Sequence, residues 1–129
     1  MTYRPFYRYI QDPGHGWIEV SYAELVALGI ADRISRYSYA SFSNYENNPF
    51  IYLEEDCDAG LWLKARDATP HPIAYTENIR EIHTNLDCWW SGRGSDSFIR
   101  NLPSYRPPAD LRAATAARLR AAITATPEA

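Results

Sequence analysis

The chain has 129 residues, of which 46% are hydrophobic and 22% charged, with six glycines and nine prolines. Domains cluster at about 100 to 150 residues, so this length excludes a multidomain machine and suffices to bury a core without disulfides or a metal. Thirteen basic against sixteen acidic side chains leave a net charge of −3, which gives no overall electrostatic attraction for nucleic acid.

The aromatic and basic stretch up to Gln11, with Tyr3, Phe6, Tyr7 and Tyr9, is too crowded for a solvated tail and is expected to dock on the domain. Asp12-Pro13-Gly14-His15-Gly16 reads as a turn, because proline fixes φ and the glycines allow positive φ. A short strand follows over 17–20. Ser21 three residues ahead of Glu24 forms a capping box and predicts a helix over 22–28, which Gly29 ends in the left-handed conformation. Alternation over 33–42 predicts a strand with Ser35, Tyr37 and Tyr39 on one face and Ile34, Arg36 and Ser38 on the other. Residues 43–49 are a turn by composition, and 50–55 form a second strand, so the pair reads as a hairpin with a loop of about seven residues.

The acidic stretch Glu54-Glu55-Asp56-Cys57-Asp58 closes that strand and opens a helix running to about Ala68, with Asp56 or Asp58 as its N-cap. Cys57, Leu61 and Ala65 supply its core stripe, with Trp62 beside them, and Thr69-Pro70-His71-Pro72 stops it. Residues 73–77 and 79–83 read as one interrupted strand or two short ones. Trp89-Trp90 precedes the loop signature Ser91-Gly92-Arg93-Gly94-Ser95, and Pro103, Pro107 and Pro108 forbid long elements. A last helix over 110–124 carries Leu111, Leu119 and Ile123 on one stripe and Arg112, Arg118 and Arg120 on another face. The sum is an α+β fold: a small antiparallel sheet of three to five strands with two or three helices, one domain over 1–108, and an Ala- and Arg-rich helix with a short tail over 109–129, packed on it or extending from it.

The cysteines Cys57 and Cys88 show no Cys-x-x-Cys spacing, which suggests a reducing compartment and leaves a single disulfide between them open. Neither a signal-peptide stretch nor an apolar run of membrane length is present, so the chain is expected to be cytoplasmic with no membrane association, and the absence of cofactor motifs leaves no cofactor expected. Charge is unevenly spread: residues 1–87 hold seven basic and thirteen acidic side chains, residues 88–129 six and three. Eighteen aromatics, ten of them tyrosine, exceed what a core of this size usually needs, and Tyr and Trp are over-represented where a surface meets a partner.

Four carboxylates in five residues exceed what capping one helix requires, and Glu54, Glu55, Asp56 and Asp58 are therefore candidates for a binding surface alongside the simpler reading of a solvated helix start. Tyr37, Tyr39, Trp89, Trp90 and Arg93 complete the candidate partner-binding set, since Trp, Tyr and Arg are the usual energetic anchors of interfaces. The scattered His15, His71, His83, Cys57 and Cys88 have no metal spacing; His15 reads as a turn residue and Cys57 as a core residue. No nucleophile elbow and no phosphate loop is present, so no enzyme activity is expected, and a metal-dependent enzyme built on Glu54, Asp56 and His83 is the weakest reading.

Several strings together, Asp12-Pro13-Gly14-His15-Gly16-Trp17-Ile18-Glu19-Val20, Leu28-Gly29-Ile30-Ala31-Asp32-Arg33-Ile34-Ser35, Tyr37-Ser38-Tyr39 and Tyr52-Leu53-Glu54-Glu55-Asp56-Cys57-Asp58-Ala59, with His83-Thr84-Asn85, Ile99-Arg100 and Ser104-Tyr105-Arg106 later, resemble a family of uncharacterised small proteins of phages, plasmids and related mobile elements; the host cell is then the implied setting. The resemblance covers about residues 11–106; the loop at Ser43–Asn48 is longer than the family's hairpin turn, and the helix after Pro108 is an addition. It implies a non-enzymatic accessory protein that binds and blocks host machinery, of the anti-CRISPR or anti-restriction type, through an acidic surface. The expected partner is a host protein or protein–nucleic acid complex with a basic surface, met by a monomer or homodimer. The alternative is direct nucleic-acid binding by the Arg-rich C-terminal part and Trp89-Trp90, which predicts steep salt dependence.

Overall fold

The computed structural model describes residues 4–11, 14–83, 99 and 101–107. Among them, β1 (Tyr7–Gln11), β2 (Gly16–Ser21), β3 (Tyr39–Ala40), β4 (Phe50–Glu54) and β5 (Ile79–His83) form one sheet in the order β3-β4-β2-β1-β5. Helices α1 (Tyr22–Ala27), α2 (Asp58–Asp67) and the single turn α3 (Tyr75–Asn78) complete an α+β architecture. Three strand pairs are antiparallel as expected, but β5 lies parallel to β1, Tyr7 opposite Ile79 through Gln11 opposite His83, which makes the sheet mixed. No helix among the described residues is long and apolar enough to cross a membrane.

Of the N-terminal aromatics, Tyr7 and Tyr9 belong to β1, an inner strand between β2 and β5, while Tyr3 lies outside the described residues. Strand pleating sends successive side chains to opposite faces. Tyr7, Ile18, Val20, Ile51 and Leu53 thus meet Leu25 and Val26 of α1 and Trp62 of α2 in the main core, while Ile10, Trp17 and Tyr52 pack on the other face with Ile99 and Leu102.

Helix α1 follows its sequence signal: the Ser21 hydroxyl accepts from the Glu24 N–H at 3.2 Å, and Gly29 has φ of 76°. The Glu24 carboxylate, however, turns inward. It accepts from the Tyr7 hydroxyl at 2.6 Å, the Trp62 Nε1 at 2.7 Å and Arg66 at 2.9 Å, and Arg66 also donates to the Tyr7 hydroxyl and to the carbonyl of His71. This buried ion pair has its oxygens and N–H groups occupied, the condition under which such a pair is tolerated in a core. Burial, with Glu24 second, holds the Tyr7 phenol above its ordinary value, so the donor proton stays in place.

Four local expectations are corrected. Residues 33–38 are turns rather than strand, because Asp58, buried at the start of α2, gathers the Ser35 N–H, the Ser35 hydroxyl and the Ser38 hydroxyl; only Tyr39–Ala40 extends the sheet. The N-cap of α2 is Cys57, which offers no side-chain cap, and Asp58 is the first helical residue. Its buried residues are Asp58, Ala59, Trp62 and Arg66, so Cys57 is exposed instead of being part of the core, and Leu61 and Ala65 are only half-buried. Residues 75–78 are a helical turn, not a strand. The hairpin β3–β4 is present, with Tyr45–Asn47 as a 3₁₀ turn and Asn48 in the left-handed region at φ 55°. The proposed helix over 110–124 and the proposed boundary near residue 108 lie outside the described residues.

Candidate functional site

At one end of the sheet the chain leaves β4 through a tight turn, with the Cys57 N–H bonded to the Glu54 carbonyl at 3.3 Å. Glu54 pairs with Trp17 across β2 and β4, so these two side chains share a face, and His15, two residues before Trp17, stacks on its ring at 5.9 Å with 16° between planes. The turn brings Asp56 back beside Glu54, whose carboxylate accepts from the Asp56 N–H at 2.9 Å. From the other side come Tyr37 and Tyr39. The Ser35–Ser38 turn fixed by Asp58 carries Tyr37, and the Ser38 hydroxyl, besides donating to Asp58, accepts from the Glu54 N–H at 3.0 Å. The result is an open cleft of about 280 Å³ lined by His15, Trp17, Tyr37, Tyr39, Glu54, Asp56 and Cys57.

Two carboxylates and several aromatic rings converge here without a counter-ion: among the described residues, no Arg or Lys pairs with Glu54 or Asp56. The local field is negative enough to reach the thiol: partial desolvation, then the carboxylates of Glu54, Asp58 and Asp56, push Cys57 above its ordinary value. Cys57 is therefore held as a neutral thiol, the opposite of the electropositive setting that activates a nucleophilic cysteine. Tyr37 is 64% exposed, the most exposed large hydrophobic side chain among the described residues.

The acidic run thus divides into three environments. Glu54 and Asp56 line the cleft; Glu55 points to the opposite face and accepts from the Tyr9 hydroxyl; Asp58 is buried and fully engaged by Ser35 and Ser38. Tyr37 and Tyr39 join Glu54 and Asp56, whereas Trp89, Trp90 and Arg93 lie outside the described residues. His15, Trp17 and Cys57 are lining residues that the sequence reading assigned to a turn, a strand and the core. The period of two between His15 and Trp17 at a hairpin end was the available signal. Among the described residues no group of three or more His, Cys, Asp or Glu side chains is placed to hold a metal ion.

Beside the cleft, the same sheet face carries a second charged cluster. Buried Glu19 accepts from Arg8 at 2.6 and 3.0 Å, from Arg4 at 3.4 Å and from the Tyr52 hydroxyl at 3.0 Å. Burial alone would raise its pKa, but Arg8, Tyr52 and Arg4 outweigh it and hold the carboxyl below its ordinary value of 4.5. A carboxyl depressed in the folded state contributes stability that is present above its unfolded value and lost as pH falls through the folded one. The urea midpoint is therefore expected to decline below about pH 4.5 more steeply for the wild type than for Glu19→Gln. Parallel acid profiles of the two proteins would show that Glu19 does not carry this dependence.

Comparison of the chain with family models, with curated proteins and with solved structures finds no match in any of the three.

Proposed function

We propose that this protein acts by binding another macromolecule rather than by catalysis, docking the cleft end of its sheet against a basic protein surface. The observation that carries the reading is the convergence of Glu54 and Asp56 with Tyr37 and Tyr39 at one open cleft, a pairing of charge with rigid aromatic area that suits interface anchors. The resemblance to mobile-element proteins supplies the setting: an accessory protein made in the host cytoplasm, of the anti-CRISPR or anti-restriction kind, whose carboxylates compete with nucleic-acid phosphates for an Arg- or Lys-rich surface. Electrostatic steering speeds such encounters and makes them sensitive to salt.

The test begins with proteins that co-purify with the tagged chain from its host, each then expressed and measured individually. Glu54→Gln combined with Asp56→Asn is expected to weaken the cognate complex by about tenfold or more, mostly at low salt. Unchanged affinity in that variant refutes the acidic docking face. A salt-sensitive gel shift of bare DNA or RNA by the wild type supports the alternative, in which the C-terminal arginines and Trp89-Trp90 bind nucleic acid directly.

A further inference from the structure

Resting on that reading, and sharpening it to one chemical group, we infer that the cleft receives a single arginine side chain of the partner and prefers it to lysine. The volume of about 280 Å³ sits just under the roughly 300–1,000 Å³ of small-molecule and cofactor sites, so one long side chain matches it better than a cofactor. Its chemistry has two parts. The Glu54 carboxylate, which accepts from the Asp56 N–H and lies within hydrogen-bond reach of the Cys57 thiol, and the exposed Asp56 carboxylate beside it place two acceptor groups from one four-residue turn along the same space. Around them stand the exposed ring of Tyr37, the half-buried ring of Tyr39, and His15 stacked over Trp17.

A guanidinium satisfies both parts at once. It is planar, so it stacks on an aromatic face; it presents several N–H donors in a fork, so it bonds two carboxylate oxygens; and it is more weakly hydrated than an ammonium, so it loses less on entering a half-enclosed cleft. Lysine offers a point charge without the plane or the fork. The walls are also held in place before any partner arrives: Asp58 pins the turn bearing Tyr37, and the Tyr105 N–H bonded to the Ser38 carbonyl at 2.9 Å pins the residue that joins Tyr37 to Tyr39. A preformed site spends less of its interaction energy on ordering.

The experiment titrates the full chain with the acetylated, amidated peptide Gly-Gly-Arg-Gly-Gly and with its lysine and citrulline counterparts, following the ring resonances of His15, Tyr37 and Tyr39 by NMR. Arginine is expected to bind about fivefold or more tighter than lysine, and neutral citrulline, which keeps the shape without the charge, is expected to give no saturable shift. Glu54→Gln with Asp56→Asn, and separately Tyr37→Ala, should each weaken the arginine peptide about fivefold or more while leaving amide resonances distant from the cleft unmoved. Equal binding of arginine and lysine overturns the preference, even if partner capture still depends on Glu54 and Asp56 and the docking face survives. No shift at the three rings overturns the inference as well, and if the cognate complex is also indifferent to the two acids, the docking face goes with it.

Discussion

Glu24→Leu is expected to lower the unfolding free energy by about 3–5 kcal/mol, the largest effect of any single change considered for this fold. Three donors converge on that carboxylate: the Tyr7 hydroxyl, the Trp62 Nε1 and the Arg66 guanidinium, all within 2.9 Å. Leucine removes the acceptor from all three and leaves a guanidinium buried without its counter-charge, which is the costly way to break such a pair. Arg66→Met is expected to cost less, because Glu24 would keep the hydrogen bonds from Tyr7 and Trp62. The double variant should regain part of the loss, since replacing both members of a buried pair with apolar side chains is far milder than removing one. Guanidinium denaturation of the three variants measures the order directly. A loss for Glu24→Leu of under about 1 kcal/mol would mean that the network contributes little to the core.

Asp58→Ala is the second large expectation, at about 3 kcal/mol. It would strip the Ser35 N–H and the hydroxyls of Ser35 and Ser38 of their shared acceptor in a buried site, and hydrogen bonds to a charged group are worth about 1.5–3 kcal/mol each before compensation by water. Asp56→Ala, only two residues away but exposed, should stay within about 0.5 kcal/mol of the wild type. The two variants should part in function as well. On the proposed docking face, Asp56→Ala should weaken binding in a protein of normal stability, whereas Asp58→Ala should weaken it by releasing the turn that carries Tyr37. Thermal melts beside binding measurements separate the two, and similar stability losses for both would contradict the division of the acidic run.

What could be read from the sequence was what short-range rules govern. The Ser21 hydroxyl on the Glu24 N–H and the left-handed Gly29 act within a few residues, and α1 begins and ends where they require, although the Glu24 carboxylate leaves its half of the capping box for the core. The strands β2 and β4 were likewise legible from composition and pattern. The segment 33–38 was not, because its conformation is set by Asp58, 20 to 23 residues away, and a seemingly alternating pattern yields to that long-range acceptor. In α2 the expected stripe of Cys57, Leu61 and Ala65 falls one residue short of Asp58, Trp62 and Arg66, an error of about 100° around the helix. The signal there was misleading for a physical reason: two of the residues that face inward are charged, and only the carboxylate waiting at Glu24 and the serines waiting for Asp58 make their burial favourable. The parallel pairing of β5 with β1 had no local mark at all, since the partners are about 70 residues apart.

For the candidate site, Tyr37, Tyr39, Glu54 and Asp56 came together, while Glu55 and Asp58 did not join them. A run of like charges says that carboxylates are near one another in the chain. It does not say that they look in one direction, and here the strand pleat and the first turn of α2 send four of them three ways.

The edge of the sheet beside Tyr39 is closed by a distant part of the chain: Ser104 bridges to Tyr39, the Ala40 N–H donates to the Pro103 carbonyl at 2.9 Å, and the Tyr105 hydroxyl reaches the Ala31 carbonyl. During synthesis, then, the tyrosines of the cleft emerge some 65 residues before the segment that clamps them, and non-local closures of this kind come slowly. A chain ended before residue 103 keeps the Asp58 contacts of the Tyr37 turn but lacks the bonds that clamp the sheet edge at Tyr39. The proposed docking should therefore be weaker for a chain ended before residue 103 than for the full chain.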